Sequence, residues 1–226
     1  MMKRFVASIS RHILVYMYQK RKWGIAMDRL PVPRRTKELT ADIQLYLGSE
    51  FEHVAIHSIE VAQCAEELAA RFGGETSVAK QAGLLHDISV TIPNPEKIRL
   101  CEELGIEIFE EERQVPMLSH QKLSRYMAKE LFQIEEEAVL SAIECHTTLK
   151  KAPSQMDHIV FLADKIKWDQ GGEPPYLSEL LEALDCSLEK ASLVYIDYLL
   201  THDILVVHPW LREAKEELMQ LNGHFD

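Results

Sequence analysis

Ala82-Gly83-Leu84-Leu85-His86-Asp87-Ile88-Ser89 is an uncharged apolar run into which an imidazole and a carboxylate are set. A buried, unpaired aspartate is expensive and needs an opposite charge, hydrogen bonds or a metal. The run therefore reads as the inner end of a helix, Ser77 to Ser89, capped by Thr76 or Ser77. Upstream, His57 to Phe72 has helical periodicity, with Ile59, Ala62, Ala65 and Ala69 inward and Glu60, Glu66, Glu67 and Arg71 outward. Gly73-Gly74 supply its C-terminal cap.

Helical patterns continue on both sides. Thr40 to Leu47 reads as a short helix ended by Gly48, and another follows Pro93-Asn94-Pro95 to about Leu104. Residues 105–118 form an acidic, less regular connection suited to one wall of a cleft. Further helices are expected at Ser119–Phe132, Glu135–His146, Ser154–Trp168, Leu177–Leu184, Leu188–Leu200 and Pro209–Leu221, with Pro209 in the first turn of the last. No alternating strand pattern and no internal repeat interrupts them. The fold class that follows is all-α, a single-domain helical bundle with its function in a central site between helices.

The chain has 226 residues, 46% of them hydrophobic, enough for one cored domain. Residues 1–36 carry nine Lys/Arg against the single Asp28, whereas the whole chain has a net charge of -11. The expected organisation is a basic extension and linker at 1–36, ending in Pro31, Pro33 and Arg34-Arg35, followed by a domain at 37–226. The arm reads either as an amphipathic basic helix on anionic lipid or a partner, or as a plain surface segment, with Met27 as an alternative start. Arg11 and His12 break its apolar stretch, and no run reaches the roughly 18–20 residues of a membrane span. The acidic balance argues against nucleic acid as partner. Cys64, Cys101, Cys145 and Cys186 form no CxxC pair and read as reduced core thiols of a cytoplasmic protein rather than a disulfide framework.

Asp164 lies in a second apolar helix, IVFLADKI, and His57 opens the long helix on its apolar side. Two imidazoles and two carboxylates in apolar settings, His57, His86, Asp87 and Asp164, suit a first-row transition metal such as iron, manganese or zinc. His120 begins one helix, and His146 ends another beside Thr147 and Thr148. These two histidines read as phosphate contacts or proton donors, with second-metal ligands and structural caps as alternatives.

The series HSIEVAQCAEELA (57–69), AGLLHDIS (82–89), MLSHQKLSRYMAKELF (117–132), AIECHTT (142–148) and FLADKI (161–166) resembles the HD-domain phosphohydrolase superfamily. Within it the likeness is to YqeK-type symmetrical dinucleoside tetraphosphatases, over about residues 50–220. The resemblance implies a metal, iron first, on His57, His86, Asp87 and Asp164. It implies cleavage of diadenosine tetraphosphate to two ADP, with His120 and His146 along the phosphates. The segment Val207 to Arg212 falls where the family contacts nucleotide, so His208 and Arg212, with Thr147 and Gln170, are expected at the substrate. Two positions depart from the family pattern: Val54 and Gln170 stand where arginines are usual, and both arginines would grip phosphate. The metal chemistry is untouched by this, while the substrate is open to smaller phosphoesters.

The expected reaction is metal-assisted hydrolysis of a nucleotide-like small molecule, with catalytic roles for Asp87, His120, His146 and Lys165. A dimetal oxygenase of the same fold and a non-catalytic nucleotide sensor are the alternatives. The sequence leaves a homodimer open.

Overall fold

The computed structural model describes residue 30 and residues 33–169, 172–202 and 204–222. Within them are eleven α-helices and no strand, the all-α bundle expected. They are α1 (Leu39–Leu47), α2 (Glu52–Phe72), α3 (Thr76–Leu85), α4 (Asn94–Leu104), α5 (Glu110–Gln114) and α6 (His120–Glu130). Then come α7 (Glu137–Cys145), α8 (Gln155–Ile166), α9 (Leu177–Leu184), α10 (Leu188–Thr201) and α11 (Pro209–Asn222). Short 3-10 turns at Ile88–Thr91 and Pro116–Ser119 precede α4 and α6. None of the described helices is long and apolar enough to cross a membrane.

α3 is the central strut, packed on α2, α7 and α8, and its contact with α2 is the most extensive in the molecule. Gly83 permits this. A Cβ built on it would lie 2.6 Å from Ala62 Cα and 2.8 Å from Ala62 N, so the two backbones nearly touch. Around the strut, Ile43, Leu85, Ile88, Leu123, Met127, Leu140, Ile143, Ile159, Phe161 and Leu162 are sealed from solvent. α2 closes on Gly73, whose left-handed φ of 75° lets its N–H reach the Ala69 carbonyl.

Several boundaries differ from the sequence reading, and the connection read as less regular holds α5 and a 3-10 turn. α2 begins at Glu52, one turn early, so His57 lies inside the helix rather than at its start. α3 stops at Leu85 instead of Ser89 because Asp87 leaves helical conformation (φ -113°, ψ 16°). Tertiary bonds hold that break: the Ser89 N–H donates to Ser124 Oγ at 3.2 Å, and Ser89 Oγ–H to the His120 carbonyl at 2.8 Å. α8 ends at Ile166, short of Trp168.

Residues 1–29, 31 and 32 lie outside the described residues, so the helical and alternative-start readings of the arm fall there. The described end of the linker packs onto the body. Leu30 is buried, and Arg35 donates to Gln133 Oε1 at 2.5 Å and to the Phe132 carbonyl.

The acidic connection is pinned by a buried cluster. Glu112 accepts from Lys122 Nζ at 2.9 Å and from the Phe109 N–H at 2.7 Å. His208 Nδ1 accepts the Trp210 N–H at 3.2 Å, which leaves the proton on Nε2, facing Glu112 Oε1 at 3.5 Å. Lys122 Nζ also lies 4.1 Å from the Phe109 ring centre and 4.8 Å from that of Trp210. Burial would raise the Glu112 carboxyl, but His208, Lys122 and the Phe109 N–H together hold it below the usual glutamate value of 4.5.

Two outcomes follow from these contacts. Gly83→Ala should destabilise the protein by about 1–3 kcal/mol in chemical denaturation, the usual cost of forcing packed backbones apart. Glu112→Ala strands a buried lysine and should cost about 3–5 kcal/mol. Because the folded Glu112 value is depressed, its contribution is present above about 4.5 and is lost as pH falls through the folded value. Denaturation midpoints of wild type and Glu112→Ala should therefore converge in acid; parallel curves would contradict the assignment.

Candidate metal centre

Three imidazoles reach the centre by one local device. His86 follows the last residue of α3 and is fully buried; its Nδ1–H donates to the Gly83 carbonyl at 2.8 Å. His146 follows α7 and donates in the same way to Ile143 at 2.8 Å. His120, at the start of α6, donates to Met117 at 2.6 Å. With Nδ1–H committed to a carbonyl three residues back, each ring turns its Nε2 inward.

The inward atoms converge on two carboxylates. His57 Nε2 lies 3.1 Å from Asp164 Oδ1, and His86 Nε2 lies 3.6 Å from the same oxygen and 3.5 Å from Asp87 Oδ2. Asp87 Oδ1 in turn faces His120 Nε2 at 3.2 Å and His146 Nε2 at 3.5 Å. Three overlapping donor sets result: His57, His86 and Asp87; His86, His146 and Asp164; and Asp87, His120 and His146. Within each set the ligand atoms lie within 4.8 Å of one another. The Asp87 side chain is 29% exposed and that of His86 is not exposed at all, so the cluster opens to solvent at Asp87.

The electrostatics are those of a charged cluster in a low-dielectric setting. Burial would raise both aspartates, yet both sit well below 3.8: Asp87 beside His86, His120 and His146, and Asp164 beside Lys165, His57 and His86. Burial disfavours the His86 cation, but Asp87 and Asp164 outweigh it and lift His86 to about 9. His146 is driven down to about 4, mainly by burial, with His120 and His86 adding to the effect.

A cation fits this donor set. His57 Nδ1 and His86 Nε2 are buried without a hydrogen-bond partner, each normally a cost of about 1–3 kcal/mol. His120 Nε2 and His146 Nε2 lie 2.9 Å apart, and in the tautomers set by their Nδ1 donors two lone pairs would face each other. A proton or a metal ion relieves that contact.

The structure thus brings together His57, His86, Asp87, Asp164, His120 and His146, with Thr147 Oγ1 3.2 Å from His120 Nε2 and Lys165 on Asp164. His208, expected at the substrate, is buried in the Glu112 cluster with both ring nitrogens facing protein atoms. Arg212 is exposed on α11. Gln170 lies outside the described residues. Val54 is a core residue on α2, 9% exposed, so nothing cationic takes the place of an arginine there. Gln121 was missed by sequence reasoning: fully buried, it accepts the Thr147 N–H at 3.1 Å and donates to Thr148 Oγ1 at 3.0 Å, fixing the turn after His146. A polar residue next to His120 in a helix carries no pattern that would have marked it.

A family model for the HD domain matches residues 54–169, which include all six clustered residues. The chain belongs to the HD domain family. The HD domain's relatives include a Lactococcus lactis subsp. cremoris protein from the pepC 5′ region, 51% identical over 63% of this chain and 73% of that one. The symmetrical bis(5′-nucleosyl)-tetraphosphatase of Halalkalibacterium halodurans is 29% identical over 73% of this chain and 95% of its own. Among solved structures, that of a predicted HD superfamily hydrolase involved in NAD metabolism from Clostridium acetobutylicum aligns with a TM-score of 0.72. It is 29% identical and covers 83% of this chain and 98% of that one.

Proposed function

We propose that this HD-domain hydrolase cleaves a phosphoanhydride or phosphoester of a nucleotide-like small molecule, with a divalent transition metal held by His57, His86, Asp87 and Asp164. The observation that carries the reading is the convergence of inward imidazole nitrogens on two ionised carboxylates at a cluster open on one side. Iron is the first choice of metal, with manganese and zinc also matched to N/O ligands. Symmetrical dinucleoside tetraphosphates are the first substrates to test, because an enzyme named for that activity is similar over 95% of its length. All four cysteines are free thiols, in keeping with a cytoplasmic setting; Cys64, Cys101 and Cys145 are buried, whereas Cys186, expected in the core, is exposed.

When bound, the ion supplies Lewis acidity and a water ionisable near pH 7. The chain's own residues do the rest. Asp87 spans the cluster, with Oδ2 toward His86 and Oδ1 toward His120 and His146. His120, half-buried beside Thr147, would neutralise phosphoryl oxygens or return a proton to the leaving group. The buried aliphatic and helical wall behind His86 keeps bulk water from the inner side.

The 2.9 Å approach of the His120 and His146 Nε2 atoms favours a second reading within the same chemistry, in which Asp87, His120 and His146 would hold a second ion. His146→Ala should then lower the metal content of purified protein from two ions per chain to one, by elemental analysis. One ion in wild type would dismiss this reading. Two irons that consume dioxygen would point to an oxygenase instead.

His86→Ala and Asp87→Ala should each abolish bound metal together with turnover. The assay is a screen of metal-loaded protein against dinucleoside tetraphosphates, nucleoside mono- to triphosphates and generic phosphodiesters. A metal-free variant of full activity would sink the proposal. Two nucleoside diphosphates as sole products would show that Val54 costs the enzyme nothing essential.

A further inference from the structure

Lys165 directly follows a candidate ligand, and its ammonium is committed to that ligand. Nζ lies 2.5 Å from Asp164 Oδ2, while Asp164 Oδ1 faces His57 Nε2 at 3.1 Å and His86 Nε2 at 3.6 Å. The two oxygens of one carboxylate have separate partners. Aromatic rings wall the lysine in, with the Phe161 and Tyr195 centroids 5.6 and 5.4 Å from Nζ. Tyr176 packs on Tyr195 at 4.8 Å and donates its hydroxyl to the Lys165 carbonyl at 3.1 Å. That carbonyl lies in the last turn of α8, where intrahelical partners run out. Side chain and backbone of Lys165 are therefore both fixed. Swinging out to a substrate would forfeit the ion pair and the cation–π contacts together.

Tyr176 and Tyr195 lie beyond residues 54–169, the part matched by the HD domain. The helices after the matched region thus reach back to the residue beside Asp164.

We propose that Lys165 is a positioning residue: it holds Asp164 so that a single oxygen, Oδ1, is offered to the metal, and residues 176–201 hold Lys165 in that role. The inference rests on the metal site proposed above. A ligating carboxylate whose other oxygen is hydrogen-bonded keeps its orientation, and loss of such an outer partner typically costs about 10–100-fold in metal affinity or activity.

The test is equilibrium competition for Mn²⁺ or Co²⁺ between a fluorescent chelator and the full chain. Wild type is compared with Lys165→Met, Lys165→Arg and Tyr176→Phe, with His86→Ala as the metal-site control. Lys165→Met should weaken the ion by about 10–100-fold and alter the visible spectrum of the Co²⁺ form. Lys165→Arg should restore most of the affinity, and Tyr176→Phe should weaken it less in the same direction. Should Lys165→Met fail to fold by circular dichroism, the arginine and phenylalanine variants decide by the same shifts. Wild-type affinity and spectrum in Lys165→Met, with turnover alone lost, would overturn the inference and make Lys165 a substrate contact. A wild type that binds neither ion would overturn the metal site itself, and this inference with it.

Discussion

Everything at the centre hangs on the near-contact of two helix backbones at Gly83 and Ala62. α2 carries His57, and α3 delivers His86 and Asp87 from its end. The separation of those helices sets the distance between the two halves of the donor set. Gly83 serves twice, since its missing side chain admits α2 and its carbonyl anchors the His86 ring. A wider spacing would loosen the cluster even with every ligand present, because interiors packed to crystal density do not deform in small steps.

The charges make a second, linked pattern. Two ionised carboxylates survive burial only because imidazoles and Lys165 surround them. The same rule governs the Glu112 cluster on another face of α6, where a buried carboxylate ties the acidic connection, α6 and the start of α11 into one unit. One cluster is closed to solvent and the other opens at Asp87, and that difference separates structure from chemistry.

Much of this was legible in the chain. AGLLHDIS places a His-Asp pair where apolar flanks force burial, and IVFLADKI does the same for Asp164. Periodicity gave the helices because each buries one face against the bundle. It failed where tertiary bonds outweigh local preference. The break after Leu85 depends on Ser124 and His120, some thirty-five residues away, which no window of local pattern contains. The buried setting of His208 was hidden for a similar reason. An isolated histidine looks alike in sequence whether it meets a ligand or a buried glutamate, and only packing against Phe109 and Trp210 tells them apart.

The bonds from His86, His120 and His146 to carbonyls three residues back bear on how the centre is assembled. Each closes a loop of a few residues, so its entropy cost is small beside that of bringing distant helices together. The aim of each ring is thus set by its own helix end rather than by the helices packed against it, so a shift of one helix against another would move a ligand without turning it.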